Sequence, residues 1–239
     1  MEEPSRRSFL VTAFAIALGG CTGGFYSGGY EQVVSAGERR VTKRPRSPAK
    51  DRSLVRKDPL YPGTGEDTWI PDIDPIPRKL WAPGSPLNYR LNPMGRVTRI
   101  TVHHEGSETP NNHTGVTEVA ADLRDIRKVH LRVMGAGDIG YHYIIDRAGR
   151  IWEGRPCAYR GAHAGGEANR GNLGVMCLGN FDIQQPTKRQ LKALRGFLTL
   201  QMRKYSIRPH KVFTHQELKP TRCPGKHLQA FMKEIRPKL

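Results

Sequence analysis

The sequence predicts a single α/β domain over residues 76–239, built on a central mixed sheet of about five strands flanked by about three helices. Two observations predict this class. Short β-branched segments alternate with longer segments whose apolar residues recur every three or four positions, and glycine-rich turn signals separate the two kinds of segment. A region of roughly 160 residues is also long enough to bury a hydrophobic core.

The strands are predicted from alternation and from β-branched residues. Asp146 to Gly149 forms a turn signal that joins two of them into a hairpin, with glycine where a positive φ is needed. A glycine-rich loop over 155–172 precedes the fourth strand. The predicted strands span residues 99–103, 141–146, 150–153, 173–178 and 211–214.

The helices are predicted from capping residues and helical periodicity. Thr117 is expected to cap a first helix that carries Glu118 in its first turn and runs to about residue 133. Thr187 and Gln190 form a capping-box pattern at the start of a long second helix. The apolar faces of the last two helices comprise Leu191, Leu194, Leu198, Met202 and Tyr205, then Leu228, Phe231, Met232 and Ile235.

Residues 1–21 have the features of an export signal. The pair Arg6-Arg7 resembles a twin-arginine signal, and the apolar run over 10–18 is too short to span a bilayer as a helix. The Leu-Gly-Gly-Cys sequence that ends at Cys21 resembles a lipoprotein cleavage box, with Cys21 as the lipidated residue. An ordinary signal peptide, with Cys21 incidental, is the alternative. We expect an exported protein of the periplasm or cell envelope, lipid-anchored to a membrane.

Residues 22–75 are predicted to be a basic, disordered tether that contains proline and glycine. The whole chain has a net charge of +17, a mean hydropathy of −0.59 and a hydrophobic content of 37%. Such a charge favours polyanionic partners: nucleic acid, an anionic membrane surface or a carboxylate-bearing wall polymer. Export and the lack of a recognised nucleic-acid motif argue against nucleic acid.

His215 and Cys223 lie eight residues apart on a segment stiffened by Pro220 and Pro224. Imidazole and thiolate are both ligands of tetrahedral zinc, although this pair alone does not exclude a structural histidine and an ordinary cysteine. Acylation of Cys21 would leave three cysteines, an odd number outside the cytoplasm. A disulfide between the other two, Cys157 and Cys177, stays open, and Cys223 is the candidate ligand.

His103 and His104 end the first predicted strand. Because adjacent strand residues point to opposite faces, one of the two normally joins a given metal site. Alternation places His103 opposite the apolar face formed by Ile100 and Val102. By itself, such a pair of histidines is more often structural than metal-binding.

Five ordered motifs resemble those of one known family. These are Ile-Thr-Val-His-His at 100–104, Gly-Tyr-His-Tyr-Ile-Ile-Asp-Arg-Ala-Gly-Arg-Ile-Trp-Glu-Gly-Arg at 140–155, Gly-Ala-His-Ala at 161–164, Asn-Leu-Gly-Val-Met-Cys-Leu-Gly-Asn-Phe at 172–181, and Thr-His at 214–215 with Thr-Arg-Cys-Pro-Gly at 221–225. They resemble the zinc-dependent N-acetylmuramoyl-L-alanine amidases related to phage T7 lysozyme and the peptidoglycan recognition proteins. Leu-Trp-Ala-Pro at 80–83 is similar to the family's entry segment.

The resemblance implies one zinc ion per domain, with His103, His215 and Cys223 as its ligands. It implies catalytic roles for Tyr141 and for Thr221. At the position of Thr221, phage members of the family carry lysine.

The resemblance also places His163 and Asn169 in the substrate groove. His142, which lies beside Tyr141, is a third substrate-binding candidate, with a structural hydrogen bond as the alternative. The implied substrate is peptidoglycan or a muropeptide, cleaved between N-acetylmuramic acid and L-alanine, and we expect a monomer. A non-catalytic peptidoglycan-binding module on the same fold is the alternative, although such modules typically lack the cysteine ligand that Cys223 matches.

Overall fold

The computed structural model describes residues 73–239. The predicted export signal, the lipidation site Cys21 and all but the last three residues of the predicted tether lie outside the described residues. Within 73–239, no helix is both long and apolar enough to cross a bilayer.

Five strands form one mixed sheet in the order β3-β2-β4-β1-β5. Strands β2, β4, β1 and β5 run parallel, and β3 pairs antiparallel with β2 at one edge. The predicted α/β class and mixed sheet are therefore confirmed. The strands are β1 (Arg99–His104), β2 (Tyr143–Ile145), β3 (Ile151–Glu153), β4 (Asn172–Cys177) and β5 (Val212–Thr214).

Strand β2 is shorter than the sequence predicts. Regular pairing begins at Tyr143, although the His142 N–H also donates to the Gly174 carbonyl of β4 at 2.9 Å. The successive carbonyls of Tyr141 and His142 accept from Arg155 and Gly154, each at 2.8 Å, which does not follow the alternating pattern of an antiparallel ladder. Alternation in the sequence does not reveal such an irregularity, so the predicted strand begins two residues too early.

Three helices cover the sheet: α1 (Val116–Arg132), α2 (Lys188–Tyr205) and α3 (Lys226–Ile235). Helix α1 is capped at Gly115, two residues before the predicted cap, and Glu118 Oε2 accepts the Gly115 N–H at 3.1 Å. Thr187 caps α2 as predicted by accepting the Gln190 N–H at 3.0 Å. In the predicted capping box, the Gln190 side chain would reach back to the Thr187 N–H. It donates to backbone carbonyls of β2 and of the segment after β4, and so ties α2 to the sheet.

Each face of the sheet has its own core. Residues of α1 pack with Ile144, Trp152 and Met176 on one face. Residues of α2 and α3 pack with Ile100, Val102 and Val175 on the other. The parallel strands are buried on both faces, as expected where helices cover both sides. His103 belongs to the α1 face, as the alternation along β1 predicts.

The segment before β2 is held by a buried carboxylate. Asp138 is fully buried, and its two oxygens accept from Arg78 at 3.0 Å each, while Arg127 donates to the same carboxylate. The Asp138 and Ile139 carbonyls in turn accept from Arg155. These contacts fix the backbone that leads to Tyr141.

We expect Asp138→Asn to lower the free energy of unfolding by about 3–5 kcal/mol, because two arginines would lose a buried counter-charge. Urea denaturation measures this. Glu234→Gln is the matched control, since it removes an exposed carboxylate that pairs with Lys238 and should cost under about 1 kcal/mol. Equal losses in the two variants would contradict the role assigned to Asp138.

Candidate metal centre

His103, His215 and Cys223 meet at one edge of the sheet. Each offers one ligand atom, and the three atoms lie within 4.8 Å of one another. His103 is the last residue but one of β1, and His215 directly follows β5, its parallel neighbour. Because parallel strands end at the same edge, the fold brings together two residues that are 112 positions apart in the sequence (215 − 103).

The three side chains fit a zinc ion. His103 Nδ1 lies 3.6 Å from Cys223 Sγ. Zinc bonds of about 2.05 Å to nitrogen and about 2.3 Å to sulfur, at a tetrahedral angle, place those two atoms about 3.6 Å apart. Imidazole nitrogen and thiolate sulfur are ordinary zinc donors, and three protein ligands leave a fourth position open, as catalytic zinc requires.

The loop over 216–225 holds Cys223 in place. Gln216 N–H donates to the Cys223 carbonyl at 2.8 Å, and His104 N–H donates to Cys223 Sγ at 3.4 Å. Burial raises the pKa of the Cys223 thiol to about 12, although the His104 amide opposes this shift. A thiolate in this position therefore needs a cation nearby, which a bound metal would supply.

His215 has the protonation state of a metal ligand. Burial, followed by the charge of Lys219, lowers its pKa to about 4, so its imidazole is neutral at physiological pH. Its Nε2 is buried and has no hydrogen-bond partner among residues 73–239. An unsatisfied buried nitrogen beside a thiol is consistent with a site built to receive another group.

Tyr141 lies beside this cluster. Its ring centroid is 5.3 Å from that of His103, and burial raises its phenol pKa well above the ordinary value. The hydroxyl therefore keeps its proton and is able to donate a hydrogen bond. The preceding Gly140 N–H donates to His130 Nδ1 at 2.7 Å, which fixes the backbone at Tyr141.

Thr221 is exposed on the same loop as Cys223. Its Oγ1 accepts the Cys223 N–H at 3.3 Å, so the hydroxyl proton stays available to another acceptor. Thr221 also borders an open cavity of about 430 Å³. Three cationic side chains line that cavity, namely Arg222, Lys226 and Lys233, together with one carboxylate, Asp182, which pairs with Arg222 at 3.3 Å.

Two of the three predicted groove residues form hydrogen bonds within the fold itself. His142 accepts the Gly174 N–H at 2.9 Å through Nδ1 and contacts the Tyr159 carbonyl at 3.0 Å through Nε2. Asn169 Oδ1 accepts from the His163 and Ala164 amides. Both ring nitrogens of His142 are thus occupied, and the substrate-binding role stays a prediction for both residues.

The third groove residue, His163, contacts a candidate ligand directly. Its Nδ1 lies 2.9 Å from His103 Nε2 in a buried contact. Sequence reasoning missed this contact, as it missed the link between His130 and Gly140. Both contacts are made by histidine ring nitrogens. The spacing of residues in the sequence does not indicate which partner a ring nitrogen will meet.

The cysteine alternatives are also resolved for the described residues. Cys157 and Cys177 are both free thiols, so the disulfide that the sequence left open does not form. Cys177 is buried in the core beneath α2 and α3, whereas Cys157 is half-buried beside the Tyr143 hydroxyl at 3.6 Å.

Buried neutral histidines predict acid lability. Burial lowers the pKa of His130 and of His142 to about 4 from an ordinary value of 6.5. The unfolded state therefore binds more protons between these values, and the free energy of unfolding falls as the pH falls from about 6.5 to about 4. Each histidine contributes up to about 1.4 kcal/mol per pH unit.

Urea unfolding of metal-free protein across this pH range measures the effect. His130→Asn keeps an acceptor for Gly140 N–H but removes one titrating group, so its slope against pH should be smaller by up to about 1.4 kcal/mol per pH unit. An unchanged slope would show that His130 does not contribute.

Comparison with known proteins identifies the family. The family model described as N-acetylmuramoyl-L-alanine amidase matches residues 93–226, a range that contains all three candidate ligands and Tyr141. The chain belongs to the N-acetylmuramoyl-L-alanine amidase family.

Named relatives of this amidase-family chain include recognition proteins and amidases. Peptidoglycan-recognition protein SD of Drosophila simulans is 33% identical over 153 residues, which cover 64% of this chain and 78% of the relative. The human N-acetylmuramoyl-L-alanine amidase is 35% identical over 128 residues, which cover 53% of this chain but 22% of the relative.

Solved structures share the fold of this amidase-family domain. Drosophila peptidoglycan recognition protein SD aligns with a TM-score of 0.60 and 27% identity, over 66% of this chain and 92% of that one. The amidase LysC from Clostridium intestinale aligns with a TM-score of 0.52 and 26% identity, over 67% and 97%. The predicted peptidoglycan recognition protein-like fold is confirmed.

Proposed function

We propose that this protein is a zinc-dependent N-acetylmuramoyl-L-alanine amidase. It hydrolyses the amide between the lactyl group of N-acetylmuramic acid and L-alanine of peptidoglycan or muropeptides. The observation that carries the proposal is the convergence of His103, His215 and Cys223 beside the protonated phenol of Tyr141. Relatives named as amidases support the activity.

One zinc ion, held by His103, His215 and Cys223, would supply an activated water and polarise the amide carbonyl. The other residues act by position and by hydrogen bonding. The Tyr141 hydroxyl donates a hydrogen bond to the oxygen on which negative charge develops, because burial keeps its proton in place. The Thr221 hydroxyl, oriented by the Cys223 N–H, donates a second hydrogen bond at the mouth of the site.

The substrate class is supported by charge and by relatives. Peptidoglycan stem peptides carry free carboxylates, which the cationic side chains around the cavity beside Thr221 would attract. One similar solved structure, peptidoglycan recognition protein LE at 26% identity, is described in complex with tracheal cytotoxin, a monomeric diaminopimelic acid-type peptidoglycan. We further propose export, lipid attachment at Cys21 and action in the cell envelope, on the strength of the sequence motifs in residues 1–21.

Mass spectrometry of a defined muropeptide after incubation with the zinc-loaded protein tests the proposal. We expect two products, a free stem peptide that begins with L-alanine and a sugar that retains its lactyl group. Binding of the muropeptide without cleavage would favour a recognition protein instead, the function named for several relatives. Cleavage at another bond would make the protein a hydrolase of different specificity.

The contribution of Thr221 is expected to be modest. Thr221→Val removes one neutral hydrogen bond worth about 1 kcal/mol, so kcat should fall about fivefold while zinc affinity is unchanged. Thr221→Ser keeps the hydroxyl and serves as the control. Steady-state kinetics would contradict the role if the valine variant turned over at the wild-type rate.

A further inference from the structure

His163 is locked in place next to His103. The ring of His163 is buried, with 7% of the residue exposed, and its backbone N–H donates to Asn169 Oδ1 at 3.0 Å. A Cβ on Gly174 would lie 2.5 Å from the His163 ring, and one on Gly161 would lie 2.2 Å from it. The absence of side chains at these two glycines therefore makes the room that the ring occupies.

Hydrogen-bond directions across His163 follow from its backbone partner. His163 Nε2 lies 3.2 Å from the Asn172 carbonyl oxygen, which is able only to accept. In a neutral imidazole, a proton on Nε2 leaves Nδ1 as an acceptor. The opposite tautomer would aim a lone pair at the carbonyl oxygen, so the proton of His163 belongs on Nε2.

That assignment fixes the tautomer of His103. His163 Nδ1, as an acceptor, lies 2.9 Å from His103 Nε2, so the proton of His103 must be on Nε2. The lone pair of His103 is then on Nδ1, the nitrogen that lies 3.6 Å from Cys223 Sγ. A carbonyl on β4 thus determines, through one imidazole, which nitrogen of a second imidazole faces the candidate metal centre.

We propose that His163 is a positioning residue that holds His103 in the Nε2-protonated tautomer, with Nδ1 ready to bind zinc. Metal-bound histidines commonly donate their second N–H to a partner that fixes the ring and raises ligand basicity. Here the partner is a second histidine, itself anchored on the Asn172 carbonyl. His163 therefore acts through His103 and needs no contact with the substrate.

This inference rests on the proposed zinc site, and its test uses zinc affinity and tautomer state instead of turnover. His163→Leu removes the acceptor at similar size and should weaken zinc binding about 10–100-fold in a chelator competition assay. His163→Asn places an amide oxygen near the position of Nδ1 and should recover most of that loss. His130→Asn removes another buried imidazole but keeps an acceptor for the Gly140 N–H, and should leave zinc affinity unchanged.

Long-range nitrogen-15 NMR of the metal-free protein gives the second readout. We expect His103 to be protonated on Nε2 in the wild type and in His163→Asn, and to show both tautomers in His163→Leu. Wild-type His103 protonated on Nδ1 would overturn the inference, even if His163→Leu failed to fold. Equal zinc affinity in His163→Leu and the wild type, or equal losses in the Leu and Asn variants, would also overturn it. Normal zinc binding and tautomer without cleavage of muropeptides would reject the proposed function and leave this inference standing.

Discussion

Cys223→Ser is expected to lower zinc affinity by roughly 100-fold or more and to abolish muropeptide cleavage. A serine hydroxyl is a poor zinc ligand at neutral pH, and the loss of a direct ligand should exceed the 10–100-fold effect of losing an outer partner. Chelator competition measures the zinc dissociation constant, and product release from a defined muropeptide measures activity.

Cys157→Ser is the matched control for this variant. Cys157 is also a free thiol, but it lies against the Tyr143 hydroxyl at the core beneath α2 and α3. Among the described residues it is not part of the candidate metal centre. We expect wild-type zinc affinity for Cys157→Ser. If Cys223→Ser bound zinc and cleaved substrate as well as the wild type, the ligand assignment would be wrong.

Tyr141→Phe is expected to lower kcat by about 10²–10³-fold, the effect of removing one hydrogen-bond donor to a developing oxyanion. Zinc affinity should not change, because the hydroxyl is not a proposed ligand and the aromatic ring remains beside His103. The combination of intact metal binding and lost turnover separates this role from a structural one.

Tyr143→Phe is the control for Tyr141→Phe. Tyr143 lies two residues away and carries a buried hydroxyl beside Cys157, but it belongs to the core beneath α2 and α3. Its loss should alter stability by about 1 kcal/mol and leave kcat unchanged. Similar kcat values for Tyr141→Phe and the wild type would remove Tyr141 from the catalytic residues.

The sequence predicts most of the fold because local patterns decide most of it. β-Branched alternation over 99–103 predicts β1, and the apolar periodicity over 188–205 predicts α2 together with its Thr187 cap. The cap of α1 was misplaced because Gly115 has no side chain to signal a cap, whereas Thr117 does. The start of β2 was misplaced because the irregular hydrogen bonds of Tyr141 and His142 delay the regular pairing until Tyr143, and residue types do not reveal those bonds.

The candidate site is less accessible to sequence reasoning. Residue types and order indicate the three ligands through the family resemblance, and the fold then brings their atoms together. The contact between His103 and His163 depends on the space left by two glycines and on the direction of one carbonyl on β4. Neither is encoded in spacing or periodicity, so only the structure shows how His103 is held.

The central claim is that zinc on His103, His215 and Cys223 drives hydrolysis of the muramoyl–alanine amide. Zinc titration of metal-free protein, with mass spectrometry of muropeptide products at each point, tests it most directly. We predict that release of stem peptides beginning with L-alanine rises in proportion to bound zinc and reaches its plateau at one zinc per chain. Full cleavage without zinc, or one bound zinc with intact muropeptide, would contradict this account.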